Sequence, residues 1–289
     1  MQIFVNGLIS GAAIALLAVA FQTVYLPTRV FFLGMAGIYS LAPFIALALF
    51  SFLHSWTFAS IGAVTVCTLL SLALEWGNHA RLSQRRASDG VQLVASLGIY
   101  IVLVQIIVMI WGNDVKTLPT GPDAVTQLGR FFITKAQWII TIVAIVLLGT
   151  FSAFLMRSNL GLRLRALADN PIQFALFGFN VTSHRLLAFA LSGFFAAASS
   201  LVTANDIGFD PYTGLHAVLL AVVAVMIGGQ SSFLGPVLGA LLLGVIRAQV
   251  VWFSSARWQE AATFLLLAIF LMLRPQGLLQ GKIRLEATQ

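Results

Sequence analysis

The chain consists of long apolar runs separated by short polar segments. A membrane-spanning helix needs about 20 mostly apolar residues, and most of these runs have that length. Strands of transmembrane barrels are only about 10 residues long and alternate apolar with polar positions, so the pattern favours helices. The runs fall at 3–25, 30–53, 56–76, 92–112, 136–156, 186–204, 213–229, 234–253 and 260–273. Because the seventh and ninth are short, we predict an all-α, polytopic transmembrane helical bundle with eight or nine spans.

Basic residues concentrate in alternate loops of this bundle. Cytoplasmic loops of membrane proteins carry an excess of Lys and Arg. With the N-terminus outside, eleven of the sixteen basic residues face the cytoplasm: Arg29, Arg81, Arg85, Arg86, Arg157, Arg163, Arg165, Arg185, Arg274, Lys282 and Arg284. The opposite side receives Lys116, Arg130, Lys135 and Arg257. The asymmetry predicts an N-out, C-in orientation.

Composition changes this picture little. Of the 289 residues, 60% are hydrophobic and 9% are charged, whereas soluble domains are about a quarter charged. Topology explains the net charge of +7, so we expect membrane lipid and no nucleic acid as a partner. The N-terminal stretch lacks a basic n-region and is interpreted as a retained span. Residues 1–289 are treated as a single transmembrane domain.

Chemistry-bearing motifs are sparse. The sequence lacks the phosphate-cradling G-x-x-x-x-G-K-[ST] pattern, its four histidines are scattered, and Cys67 lies in an apolar run as an expected core filler. We therefore expect no enzyme activity, no metal and no cofactor bound by this chain. None of the nine acidic residues falls near the middle of a span, which argues against an ion-coupled carrier. Arg247, the one basic residue within a span, is either an interfacial anchor or a pore-facing charge.

One charged segment, residues 157–185, interrupts the apolar pattern on the predicted cytoplasmic side. Pro171 suits the first position of a helix, Asn170 precedes it as a cap with Gln173 three residues later, and Gly178 is a stop signal. The spacing predicts a helix of about two turns, Pro171–Phe177. Its apolar face would contain Ile172, Ala175 and Leu176, with Phe174 and Phe177 on an adjacent side. Such a helix lies on the membrane surface or docks in a groove on a partner.

The stretch "SNLGLRLRALADNPIQFALFGFN", Ser158–Asn180, resembles the cytoplasmic coupling loop of ABC importer permeases of the branched-chain amino acid (Liv-type) family. "MIGGQSSFLGPVLGALLLGV", Met226–Val245, and "RPQGLLQGK", Arg274–Lys282, resemble two further segments of that family. The family pattern of the loop falls on Ser158, Gly161, Arg165, Ala166, Ala168, Asp169 and Asn180. The likeness covers most of the chain and is strong from Ser158 onward.

This resemblance implies a multi-pass permease of the bacterial inner membrane that forms half of a translocation path. The implied partners are two cytoplasmic ATPases that carry ATP and Mg²⁺, a second permease subunit and an extracytoplasmic substrate-binding protein. The pore is expected to be a heterodimer of this chain and the second permease subunit, and a homodimer of this chain is the alternative. The residues implied for docking on the ATPase are Gly161, Arg163, Arg165, Ala166, Asp169, Ile172, Ala175, Leu176, Gly178 and Asn180. Ile172, Ala175 and Leu176 would be the buried anchors.

Branched-chain amino acids are the substrate that the resemblance implies, but two departures put the substrate in doubt. The family's N-[FL]-A-H-G-x-x-Y motif reads "FLGMAGIY" here, Phe32–Tyr39, and Arg247 stands where relatives often have Glu. Candidate residues of the translocation path are Met35, Tyr39, Gly228, Gly229, Gln230 and Arg247. The segments Asn205–His216 and Trp111–Lys135 would face the binding protein.

Two other functions compete with the importer permease. A stand-alone channel or carrier for a small uncharged solute, such as urea or an amide, fits the scarcity of charges within the spans. A membrane scaffold that recruits a partner through its loop fits the loop helix without transport. Copurification with a soluble ATPase would separate the permease from both.

Overall fold

The computed structural model describes residues 1–85, 87–118, 125–128, 131–274 and 276–279. Over these residues the chain is a helical bundle with one small antiparallel hairpin, β1 (Val125–Leu128) and β2 (Phe131–Thr134). The helices are α1 (Gln2–Thr28), α2 (Gly34–Leu53), α3 (Trp56–Leu74), α4 (Ala80–Gln84), α5 (Asp89–Trp111), α6 (Lys135–Arg157), α7 (Asn159–Asp169), α8 (Pro171–Leu176), α9 (Val181–Ile207), α10 (Thr213–Gly228), α11 (Gly235–Phe253) and α12 (Gln259–Leu273).

Eight helical segments within the described residues are long and apolar enough to cross a membrane, and α10 is a shorter apolar helix. The predicted all-α bundle of eight or nine spans is therefore confirmed. The third span is longer than predicted, because a π-helical turn, Glu75–His79, joins α3 to α4 and carries the segment to Gln84. Arg86, Arg130, Lys282 and Arg284 lie outside the described residues.

Helices α1, α2, α9, α10 and α11 form the centre of the bundle, where most of the fully buried side chains lie. Helices α3, α5, α6 and α12 surround this centre and turn large apolar side chains outward, among them Leu69, Met109, Ile145 and Met272. In water such a surface would aggregate, but in a bilayer it faces lipid tails. The outer helices therefore form the lipid-facing layer.

Glycines bring α1 and α11 into direct backbone contact. A Cβ atom on Gly244 would lie 2.4 Å from the Gly7 carbonyl oxygen, and one on Gly11 would lie 2.9 Å from the Ala240 carbonyl oxygen. Small residues at such positions let membrane helices approach closely. The G-x-x-x-G spacing of Gly7 and Gly11 thus has a packing role in this fold.

Helix α10 has only 16 residues and ends in a turn, after which α11 packs back on it. Its last carbonyl groups accept hydrogen bonds from the end of the described chain, Leu278 N to Ile227 O at 2.9 Å and Leu279 N to Gly228 O at 3.0 Å. The side chain of Gln22 donates to the carbonyl oxygens of Gln230 and Ser232 in the turn. Backbone groups at the end of a membrane helix need such partners, because lipid offers none.

The two ends of the bundle differ in character. One end, called here the loop end, carries α4, α7, α8 and the start of α9. The other, the hairpin end, carries the N-terminus, β1–β2 and the start of α10. At the hairpin end the Gln2 side chain donates to the Phe132 carbonyl oxygen and accepts from the Phe132 amide, which fastens the hairpin to α1.

Candidate functional site

The loop between α6 and α9 folds back tightly on the bundle. The Ser158 hydroxyl accepts from the backbone N–H of Leu160 and starts α7. Gly161 then packs on the end of α6 so closely that a Cβ atom there would lie 2.3 Å from the Phe154 carbonyl oxygen. The inner face of α7, with Leu164 and Leu167, is buried, and its outer face exposes arginines. The family-pattern glycine is therefore required by close packing.

Helix α8 has the predicted start and ends one residue earlier than predicted. The Asn170 side chain accepts from the backbone N–H groups of Ile172 and Gln173, both at 3.0 Å. In a capping box the Gln173 side chain would accept from the backbone N–H of Asn170. Here that backbone N–H donates instead to the Ala166 carbonyl oxygen, at 3.1 Å. Gly178 follows with φ +81°, a left-handed conformation that favours glycine.

The outer face of α8 is apolar and exposed. Ile172 is 67% exposed and Leu176 is 81% exposed, and Ala175 between them is also exposed. Phe177, on the flank, is 78% exposed. The predicted grouping of Ile172, Ala175 and Leu176 on one face is thus present, and none of the described residues covers it.

The inner face of α8 is held by aromatic contacts. Phe174 is 3% exposed, stacks on Phe179 with ring centroids 5.1 Å apart and meets the His184 ring edge-on at 5.0 Å. The guanidinium of Arg163 lies over the Phe179 ring at 4.9 Å from its centroid. Phe174 therefore points inward, while Arg165, Ala166 and Asp169 remain exposed.

Beneath the loop lies an ion pair that sequence analysis did not identify. The Arg185 Nε atom is 2.8 Å from the Glu75 Oε1 atom, and Glu75 is fully buried. Arg185 also donates to the Ser83 hydroxyl at 3.1 Å. This pair ties the π-helical turn after α3 to the first turns of α9, directly after the loop. The partners are 110 residues apart, so no local pattern indicates their contact.

A polar cavity of about 270 Å³ opens between α1, α2, α6, α9, α10 and α11, towards the hairpin end. Two of the predicted path residues, Tyr39 and Arg247, line it. Arg247 is 8% exposed and donates to the Thr263 hydroxyl at 2.8 Å and to the Glu260 carboxylate at 3.1 Å. Arg247 is therefore a buried residue paired with α12, and its part in the translocation path stays a prediction. The other polar lining residues were not predicted to line a path, because polar residues at helix ends are common in any membrane protein. Among them are Asn6, Gln137, Asp206, His216 and Gln259.

The remaining predicted path residues lie elsewhere. Met35 is fully buried, and its sulfur accepts a hydrogen bond from Ser192 at 3.3 Å. Gly228, Gly229 and Gln230 lie at the turn between α10 and α11, and none of them lines the cavity. The structure therefore brings together Tyr39 and Arg247 but does not place all six residues on one cavity, and their role in transport stays a prediction.

The outer segments also contain a local cap. Asp210 lies in the segment Asn205–His216, which was expected to face a binding protein, and it accepts from the backbone N–H groups of Tyr212 and Thr213 at the start of α10. Within the described ranges, no three His, Cys, Asp or Glu residues are grouped as a metal site would require. Part of the Trp111–Lys135 segment lies outside the described residues.

A bundle of membrane-length helices with a solute-sized cavity and an exposed loop helix defines a polytopic membrane transport protein. The particular family follows from comparison with known proteins. The chain belongs to the family described as "Branched-chain amino acid transport system / permease component", whose pattern matches residues 3–273. It is a multi-pass protein of the bacterial inner membrane.

Individual relatives are distant but cover nearly the whole chain. The high-affinity branched-chain amino acid transport system permease protein LivH of Salmonella typhimurium is 25% identical, over 96% of this chain and 95% of the relative. BraD of Pseudomonas aeruginosa, a permease protein of the same description, is 26% identical with the same coverage. The autoinducer 2 import system permease protein LsrC of Klebsiella pneumoniae is 29% identical over 58% of this chain and 49% of the relative.

Membership of this family makes the chain a permease subunit of an ABC importer, which works with ATPase and substrate-binding partners. The resemblance drawn from the loop and the two C-terminal segments is confirmed. The alternative of a membrane scaffold without transport does not agree with the transport role of this family.

Proposed function

We propose that this chain forms half of the translocation path of an importer for branched-chain or related amino acids, and that α8 is the element that docks on the ATPase. The observation that carries the proposal is the exposed apolar face of α8, formed by Ile172, Ala175 and Leu176 on a helix whose other side is fixed. An amphipathic helix of this kind fits an apolar groove on a partner.

The contacts around α8 suit a rigid lever. Phe174 and His184 fasten α8 to the first turn of α9, and Gly161 seats α7 on α6. Arg185, one turn into α9, is paired with Glu75 after α3. These contacts replace a flexible linker, so a displacement of α8 would also move α6, α9 and α3. Since α9 also packs on α1 and α2, the movement reaches the centre of the bundle.

The partners proposed in detail are two ATPases carrying ATP and Mg²⁺, a second permease subunit in a heterodimer, with a homodimer as the other arrangement, and an extracytoplasmic binding protein. The loop end faces the cytoplasm in the proposed N-out, C-in orientation. Support comes from the arginines of that end, which match the positive-inside bias of membrane proteins. The substrate class comes from the printed names of LivH and BraD.

Cysteine crosslinking tests the docking and the orientation with the same variants. Cys67 is the one cysteine of the chain, so Cys67→Ala supplies a cysteine-free background. Leu176→Cys is introduced at the exposed α8 face, and Val125→Cys, 58% exposed in β1, is the matched control at the other end. We expect Leu176→Cys to crosslink to the ATPase and to react with a membrane-impermeant maleimide only after the cells are opened.

Val125→Cys is expected to react from outside and to give no ATPase crosslink. A crosslink from Val125→Cys alone, or labelling of Leu176→Cys in intact cells, would overturn the docking and the orientation together. Uptake of urea or an amide by the purified chain without ATP would favour the channel or carrier alternative instead.

A further inference from the structure

The polar cavity at the hairpin end is built from one subunit and has two chemically distinct parts. Its mouth carries polar and charged side chains from α1, α6, α9, α10, α11 and α12. These residues are Asn6, Gln137, Asp206, His216, Arg247 and Gln259. Its floor is apolar, with Ala13 and Leu17 of α1, Ile140 of α6 and Leu220 of α10. From Asn6 to Leu17 the cavity follows α1 for eleven residues, roughly 16 Å at about 1.5 Å per residue.

The size of the cavity suits one small solute. A volume of about 270 Å³ is far above the roughly 10–15 Å³ that a single water needs. A solute as large as an aliphatic amino acid therefore has room in it.

The charges at the mouth select a zwitterion. Arg247 is a permanent cation, and Glu260 beside it lies within 3.2 Å of the His216 ring as well as 3.1 Å of Arg247. Asp206 adds a second carboxylate at the mouth from α9. With one cation and two carboxylates, the mouth offers a partner for each charge of a zwitterion, whereas a net anion or a net cation finds a partner for one sign only.

The Arg247 guanidinium is held in place for such a role. Its two described side-chain bonds, to Thr263 and Glu260, use two of the five N–H groups of a guanidinium. Both partners belong to α12, whereas the cavity lies between α11 and α1, so the guanidinium is braced from one side and borders the cavity on the other. Arg247 lies six residues before the end of α11, which is about 9 Å from that end. Burying an arginine at that depth is costly, and in membrane proteins such residues often mark functional sites.

We infer that this cavity is a single-subunit holding site for a zwitterionic aliphatic amino acid, with the ligand carboxylate at Arg247 and its apolar side chain against Leu17 and Leu220. The site rests on the proposed function and deepens it, because it assigns the amino acid a binding place inside one permease rather than only a path between two. Tyr39, whose side chain hydrogen-bonds with Thr203, closes the cavity on the α2 side.

The test is binding of L-leucine to the full chain in nanodiscs, measured by saturation-transfer NMR on the leucine methyl groups, without a binding protein or ATPase. L-Leucinamide, which lacks the carboxylate, is the matched ligand control. The double variant Arg247→Gln/Glu260→Gln removes both charges and leaves no unpaired buried charge. We expect it to weaken L-leucine binding at least about tenfold, as loss of a charge-assisted hydrogen bond does, and to leave L-leucinamide binding unchanged.

The single variant Arg247→Gln distinguishes recognition from a structural role. If Arg247 only neutralises Glu260, the double variant restores the L-leucine binding that the single variant loses, and the inference is overturned. Unchanged L-leucine affinity in both variants overturns it equally. Where Arg247→Gln does not fold, a Ser10→Cys probe at the cavity wall in the Cys67→Ala background replaces it. L-Leucine must then slow maleimide labelling of Ser10→Cys, and equal labelling rates contradict the site.

Failure here is distinguishable from failure of the proposed function. If ATP-driven uptake and the Leu176→Cys crosslink are present but the Arg247 variants bind and transport L-leucine normally, the holding site alone is wrong. If L-leucine binds with the expected dependence on Arg247 but no ATPase docks at α8, the docking proposal is wrong and the site stands.

Discussion

A charge placed in the middle of the α8 outer face separates docking from folding. Ala175 lies between Ile172 and Leu176, which are 67% and 81% exposed in the isolated subunit. Because none of the described residues covers this face, we expect Ala175→Glu to leave the subunit itself nearly unaffected, within about 0.5 kcal/mol as for ordinary surface substitutions. In the proposed docked complex the same carboxylate would be enclosed by the ATPase groove.

The expected penalty is that of burying an unpaired charge, about 3 kcal/mol or more. At about 1.4 kcal/mol per tenfold, this weakens docking roughly a hundredfold. The control is Gln173→Glu, which puts the same side chain on the flank of the same helix. Its position near the helix N-terminus is favourable for a negative charge, so the control is not expected to destabilise α8.

The assay measures three quantities on the purified complex: the amount of ATPase bound, ATP hydrolysis, and ATP-driven L-leucine uptake in proteoliposomes. We expect Ala175→Glu to abolish most uptake while the isolated subunit keeps its thermal unfolding temperature. Gln173→Glu should retain both the uptake and the thermal unfolding temperature. If Ala175→Glu assembles and transports at the normal rate, α8 does not dock in an apolar groove and the coupling assignment is refuted.

Three further variants test the packing that supports this lever. Gly239→Ala would place a Cβ atom 2.1 Å from a backbone carbonyl oxygen of α10, so we expect the free energy of unfolding to fall by about 1–3 kcal/mol. The control Gly98→Ala has open space around it and should not destabilise the protein. Equal thermal unfolding temperatures of the two variants would contradict the close contact. Arg185→Gln leaves the buried Glu75 carboxylate unpaired and should cost about 3–5 kcal/mol, most of it recovered in Arg185→Gln/Glu75→Gln; no recovery would show that the pair is not the cause. Asn170→Ala removes the cap of α8 and should cost about 1 kcal/mol, seen as faster hydrogen exchange confined to α8, and unchanged exchange would exclude the cap.

Local features of this protein were predictable because their causes are local. The cap at Asn170 requires only an acceptor side chain before a proline-started turn, and Ile172 and Leu176 share a face by helical spacing alone. The missing reciprocal bond of Gln173 depends on the Ala166 carbonyl of the preceding helix, and the cap pattern does not include that group.

Contacts between distant parts of the chain were not predictable in the same way. Glu75 and Arg185 looked like ordinary residues at the ends of spans, and only the packing of α9 against the π-helical turn shows that they are paired. Arg247 had two interpretations, and neither included its bonds to Thr263 and Glu260, which arise from the packing of α12 on α11. Met35 and Gln230 were grouped with Tyr39 by motif, but the fold separates them.

The sequence by itself determined the class of protein and the existence of an amphipathic loop helix. It also determined the number of membrane spans to within one span. It can do so because a bilayer requires each span to satisfy its own backbone over about 20 apolar residues. Tertiary structure alone decided which faces of those spans meet. In a membrane, side chains towards lipid and towards the core are both apolar, so no polar contrast along a helix marks its inner face. The cavity around Arg247 and the ion pair beneath the loop are therefore products of helix packing.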